Sequence, residues 1–205
     1  MAGLGVSTAF FLYLELRRQT QAAAMAVAVT DPPERMALSE NFSTSNSVSV
    51  ILGKPEWNGG IVHLPDWSDG WTRVDSVDGV SCRYMNHRAA NLAGGAYVYF
   101  AVHPTFKQKE IKAARIEFEY LVRTPVRLKL QYDGNDEGQH RSFKPAQEIF
   151  NVPPSNGWQT VEFHLTEPVF MNSQHGGADF RLDVNPPEIY VRRVTLTRGD
   201  AQARP

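Results

Sequence analysis

Three groups of residues in this chain have the types and the spacing to do chemistry. A Gly- and Pro-punctuated run from Pro55 to Gly70 carries Trp57, Asn58, Trp67 and Asp69. A polar run after residue 85 carries Asn86, His87, Arg88 and Asn91, and a third carries Asn172, Gln174 and His175. Flat rings beside planar amide and guanidinium groups are what recognition of a sugar ring requires. The ring covers the apolar face of a pyranose, and the planar donors and acceptors read the geometry of its hydroxyls. Trp57 and Trp67 can equally serve as loop anchors over the edge of a β-sandwich, and both readings stay open here.

A fourth group has a different character. Asp133, Asn135 and Glu137 alternate within DGNDEG, hard oxygen ligands among glycines that let a loop bend around an ion. Calcium takes roughly six to eight such oxygens, so a structural Ca2+ is one expectation. A solvated hairpin turn is the other, because Asp, Asn and Gly dominate turns for backbone reasons alone. In Asp179-Phe180-Arg181-Leu182-Asp183, strict alternation places Phe180 and Leu182 on one face and the charged residues on the other. There an Asp/Arg pair forms an exposed ion pair of little worth, or Arg181 holds a uronate carboxylate in a bidentate grip.

Catalytic motifs are sparse. The six histidines, among them His63, His103, His140 and His164, form neither HxH nor HExxH, and GxSxG is absent. Asp133/Asp136 and Glu117/Glu119 are the candidate carboxylate pairs for glycoside hydrolysis; the second pair alternates with Phe118 and Tyr120, which reads as a solvated strand face. The expectation is a protein that is not an enzyme. A lone cysteine, Cys82, excludes an intrachain disulfide and a cysteine-based zinc site. It shares a strand face with Val80 and Tyr84 and reads as a small core residue.

The elements that must position these groups are strands. Period-2 alternation marks residues 47–52, 71–77, 79–85, 96–103, 113–122, 126–132, 158–165, 178–184 and 188–197. There is no βαβ rhythm and no internal repeat, so the pattern predicts an all-β fold of two packed antiparallel sheets. The 205 residues suit one such domain, residues 41–200, behind an N-terminal extension, residues 1–40. Within that extension Leu4 to Leu14 is apolar, Arg17-Arg18 interrupts, and an Ala-rich run leads to Asp31-Pro32-Pro33. This reads as a signal-like or anchoring segment, or as a helix that packs on the domain or a neighbour. With 21 basic and 22 acidic residues and a net charge of −1, nothing points to nucleic acid.

Five of the strands carry a resemblance. GAYVYFAVH from Gly95, IEFEY from Ile116, LKLQYD from Leu128, WQTVEF from Trp158 and GADFRL from Gly177 together resemble the galactose-binding-like jelly-roll domains that accompany secreted bacterial glycoside hydrolases. The resemblance covers residues 60–198. It implies a jelly-roll β-sandwich and a non-catalytic carbohydrate-binding module, secreted or at the cell surface, with polysaccharide as partner. Fold alone does not assign function. A cell-surface assembly protein that self-associates or anchors in a membrane through residues 1–30 is the alternative, and a jelly-roll polysaccharide lyase or hydrolase is the third.

Overall fold

The computed structural model describes residues 40–64, 70–86, 96–135 and 141–199. The N-terminal segment, with Trp67, Arg88, Asn91 and Glu137, lies outside the described residues, and of Asn86 only the backbone is described. No helix of the described residues is long and apolar enough to cross a membrane.

Among the described residues twelve strands, numbered in chain order, build two antiparallel sheets. One runs β10 (Gln159–Thr166), β7 (Ala113–Leu121), β12 (Glu188–Gly199), β1 (Ser47–Ile51), β2 (Trp57–Gly59). The long β12 also pairs with β5 (Val80–Asn86), which carries β4 (Thr72–Val77) outside it, for seven strands in all. The five-stranded sheet runs β3 (Ile61–His63), β6 (Ala96–Val102), β11 (Phe180–Asn185), β8 (Val126–Tyr132), β9 (Lys144–Val152). Because the chain crosses repeatedly between the layers, the architecture is a jelly-roll β-sandwich, as the alternation predicts.

Every predicted strand is present. Val98, Phe100 and Val102 of β6, Leu128 and Leu130 of β8, Phe180, Leu182 and Val184 of β11 point inward and meet Ile116, Phe118, Val194 and Leu196 of the facing layer. The Phe100 ring stacks on Phe180 at 5.1 Å and meets Phe118 edge-on at 5.9 Å. Each such fully buried side chain stabilises the fold by about 1.5–3 kcal/mol. Cys82 joins Val77 and Leu121 in a smaller cluster, half-covered by Trp158 and Tyr190. Its thiol is pushed up to about 11, first by burial and then by the charge of Asp75. Trp71 does not pack as its place at the head of a strand suggests: it precedes β4 and is 48% exposed.

Candidate functional site

With every second residue of the five-stranded sheet in the core, its outer face is defined by the rest. The register aligns Tyr99, Arg181 and Gln131 in one row, and Tyr97, Asp183, Lys129 and Ile149 in the next. Val62, Leu64, Tyr99, Ala101 and Ala178 form a separate apolar cluster on this face, with Tyr97 packed against it. Gly70 closes one edge. A Cβ there would lie 2.2 Å from the Tyr97 carbonyl oxygen and 3.1 Å from the Tyr99 ring, so only glycine admits the chain so close to β6.

Arg181 is the centre of the face. Its guanidinium carbon lies 3.8 Å from the Tyr97 ring centroid and 4.3 Å from that of Phe143. Phe143 comes from the 3-10 turn Arg141–Phe143, which leads into β9. Arg181 Nε donates to Gln131 Oε1 at 2.7 Å, and Nη1 donates to the Tyr99 hydroxyl at 3.2 Å. The side chain is thus held between two rings and steered by two hydrogen bonds. A delocalised, weakly hydrated cation tolerates such a setting well. Burial raises the carboxyl of Asp183, and the charges of Lys129, Arg181 and Arg127 draw it back. His175 brings a further ring, 5.7 Å from Phe143, with Nδ1 3.5 Å from the Tyr99 hydroxyl.

The turn that presents His175 rests on two buried carboxylates. Asp133 accepts from Met171 N and Ser173 N, both at 3.0 Å to Oδ2, and Oδ1 meets Ser173 Oγ at 2.7 Å. Burial, with the charge of Asp179 adding to it, pushes the Asp133 carboxyl up to about 6, although its hydrogen bonds to Ser173 and Met171 pull the other way. Asp179 accepts from Val102 N and Asn172 N and pairs with the Lys107 ammonium at 3.0 Å. Burial raises its carboxyl too, opposed first by Lys107. Asn172 fits between them: its Oδ1 accepts from Lys107 Nζ at 2.7 Å, and its Nδ2 donates to the Gly177 carbonyl at 2.7 Å. The alternation that sets Asp179 beside Arg181 on the outer face is therefore corrected. Asp179 is fully buried at the foot of β11, and its cation is Lys107.

The sequence-predicted residues separate into distinct places. His175 belongs to the outer face of the five-stranded sheet, and Asn172 to the support beneath it. Gln174, between them, is buried. Asp133 turns inward to the same turn, so two groups that look independent in the sequence are one construction. Asn135 instead lines a cleft of about 560 Å³ with Lys107, Lys109, Lys112, Thr166 and Glu167. Among the described residues no three His, Cys, Asp or Glu side chains are grouped to hold a metal ion, and Glu137 of the predicted calcium set lies outside them. Trp57 sits in the other layer. On the edge strand β2 it pairs with Ile51 of β1, is 55% exposed, and its ring comes so close to Gly59 that a Cβ there would lie 2.2 Å from it. Tyr97, Tyr99, Gln131 and Phe143 are members of the outer-face group that sequence reasoning missed. The signal available was the alternation of Tyr97 and Tyr99 against the core positions of β6.

No known family profile matches the chain, and no curated protein matches it. Solved structures do. A carbohydrate-binding module from a Cellvibrio mixtus lichenase, determined in complex with cellotriose, matches at 9% identity and TM-score 0.41, covering 74% of this chain and 97% of its own. A family 29 carbohydrate-binding module from Piromyces equi matches at 16% identity and TM-score 0.41, covering 78% and 95%. The C-terminal module of a marine laminarinase from Zobellia galactanivorans matches at 14% identity and TM-score 0.40, covering 74% and 99%. At these scores the neighbours carry no argument about a ligand, which must rest on the residues of this chain.

Proposed function

We propose that this protein is a non-catalytic carbohydrate-binding domain, and that its glycan lies along the outer face of the five-stranded sheet. The observation that carries the reading is the clamp of Arg181 between Tyr97 and Phe143. Two half-buried rings offer apolar surface to a sugar face, and planar groups (Gln131 and Arg181 in one row, Asp183 in the next, His175 on the adjoining turn) stand near them to hydrogen-bond hydroxyls. Rings and guanidinium hold one another in place before any ligand arrives, which lowers the ordering cost of binding. Trp57 is a second, smaller platform on the opposite layer. An exported location accords with this reading, with residues 1–40 as the directing or anchoring segment.

The test is affinity electrophoresis of the full chain through gels containing soluble β-glucan, xylan, galactomannan or pectate. At least one polysaccharide is expected to retard the protein, and Tyr97→Ala and Phe143→Ala each to weaken that retardation at least tenfold. Retardation in pectate would show the remaining N–H groups of Arg181 taking a carboxylate. The reading is abandoned if no class retards the protein, or if both variants migrate like the wild type.

A further inference from the structure

The turn from Met171 to Ala178 satisfies its polar groups almost completely. Met171 N, Ser173 N and Ser173 Oγ are bonded to Asp133; Asn172 is bonded to Asp179, Lys107 and Gly177; Gln174 N donates to the Ala178 carbonyl. One side chain breaks the pattern. Gln174 is 4% exposed, and both Nε2 and Oε1 are buried without a hydrogen-bond partner. No other described residue has two such atoms. A buried amide with neither its donor nor its acceptor matched destabilises the fold, and an apolar group of the same shape would be better tolerated there. The packing therefore gives no reason for a glutamine at this position.

Its neighbours suggest one. Ala178, whose carbonyl fixes the Gln174 backbone, belongs to the apolar cluster under Tyr99, and the next residue, His175, is exposed at the edge of the outer face. We infer that Gln174 is the specificity-determining residue of the glycan site: its amide turns out about its side-chain torsions and reads two adjacent hydroxyl groups of a neutral sugar. One hydroxyl accepts from Nε2 and the other donates to Oε1. This rests on the carbohydrate-binding reading above. Because the amide leaves behind no hydrogen bond in the free protein, the swing costs packing contacts only, and each bond to the ligand replaces one between sugar and water. A site that matches a hydroxyl also rejects the analogue lacking it strongly.

The experiment compares the full-length wild type with Gln174→Met and Gln174→Leu, in the polysaccharide gel that retards the wild type most and by thermal unfolding. Both variants are expected to unfold no lower than the wild type, with Gln174→Met higher by about 2–5 °C, and both to lose at least fivefold in retardation. As competitors, the methyl glycoside of that polysaccharide's sugar should outcompete its monodeoxy analogues for the wild type but not for Gln174→Met. If both variants unfold below the wild type, the amide has a structural partner and the inference fails. It fails equally if retardation falls less than fivefold, or if the deoxy analogues compete alike for wild type and variant. Those failures leave wild-type retardation intact, whereas absence of wild-type retardation in every gel removes the carbohydrate reading itself.

Discussion

The two outer faces of this sandwich place their charges in opposite ways. On the seven-stranded sheet, Arg115 lies 3.7 Å from Glu162, Arg192 2.9 Å from Glu119, and His164 Nε2 3.1 Å from Glu162. These side chains are all partly in water, where an ion pair contributes about 0–1 kcal/mol. On the five-stranded sheet Arg181 is 8% exposed, makes no ion pair among the described residues, and turns to rings and neutral acceptors. Solubility explains the first arrangement. The second encloses a weakly hydrated cation among rings and neutral acceptors, and the carbohydrate-binding proposal rests on that difference.

The sharpest way to break the comparison is to remove the cation from each side. Arg181→Ala removes the donor to Gln131 Oε1 and one partner of the Tyr99 hydroxyl, and takes away the cation between the two rings. It is expected to lower stability by about 2–4 kcal/mol in urea unfolding and to abolish polysaccharide retardation. A loss below about 1 kcal/mol would make Arg181 no different from a surface arginine.

Next in size is the support under His175. The Asp133 carboxyl stands at about 6, against an ordinary 3.8. The folded state therefore holds this proton more tightly than the unfolded chain, and the group's contribution to stability falls as pH rises from about 4 to about 6, then stays at its lower level. At about 1.4 kcal/mol per unit the fall is at most about 3 kcal/mol. Asp133→Asn retains an acceptor for Met171 N and Ser173 N and offers an N–H to Ser173 Oγ, so it should fold and should flatten that part of the pH profile. Unfolding by urea at pH 4.5, 5.5 and 7.5 measures this; a variant slope equal to the wild type would assign the titration to another group.

Smaller effects sharpen the contrast. Trp57→Ala is expected to weaken retardation less than threefold, because its ring lies in the other layer from Tyr97 and Phe143. Arg192→Ala should change stability by less than about 1 kcal/mol and leave retardation unchanged. A tenfold loss of retardation in Trp57→Ala would move the site to the edge of the seven-stranded sheet.

How much of this was legible beforehand depends on how far apart in the chain the partners lie. The long strands were legible because residues such as Val98, Phe100 and Val102 alternate with outward neighbours over a whole strand. β2 and β3 were not, since three residues each around Gly59-Gly60 give no period to read. β9 escaped because Pro145 stands near its start and its pairing with β8 shifts register between Lys129 and Gln131. The clamp combines Tyr97 of β6, Arg181 of β11 and Phe143 from the turn before β9. Nothing local joins these three; only the order of strands in the sheet does. For the same reason nothing near Asp133 in the sequence announced that its carboxylate accepts hydrogen bonds from Met171 and Ser173.

Cys82 has a practical consequence. It is the chain's one cysteine, fully buried, with a thiol held up at about 11. At neutral pH it stays protonated and out of reach of alkylating reagents. A cysteine introduced at Ile149, 56% exposed beside Lys129 in the row of Tyr97 and Asp183, would then take a fluorescent label alone. The native thiol need not be removed first, and the dye would report directly on whatever settles across the sheet.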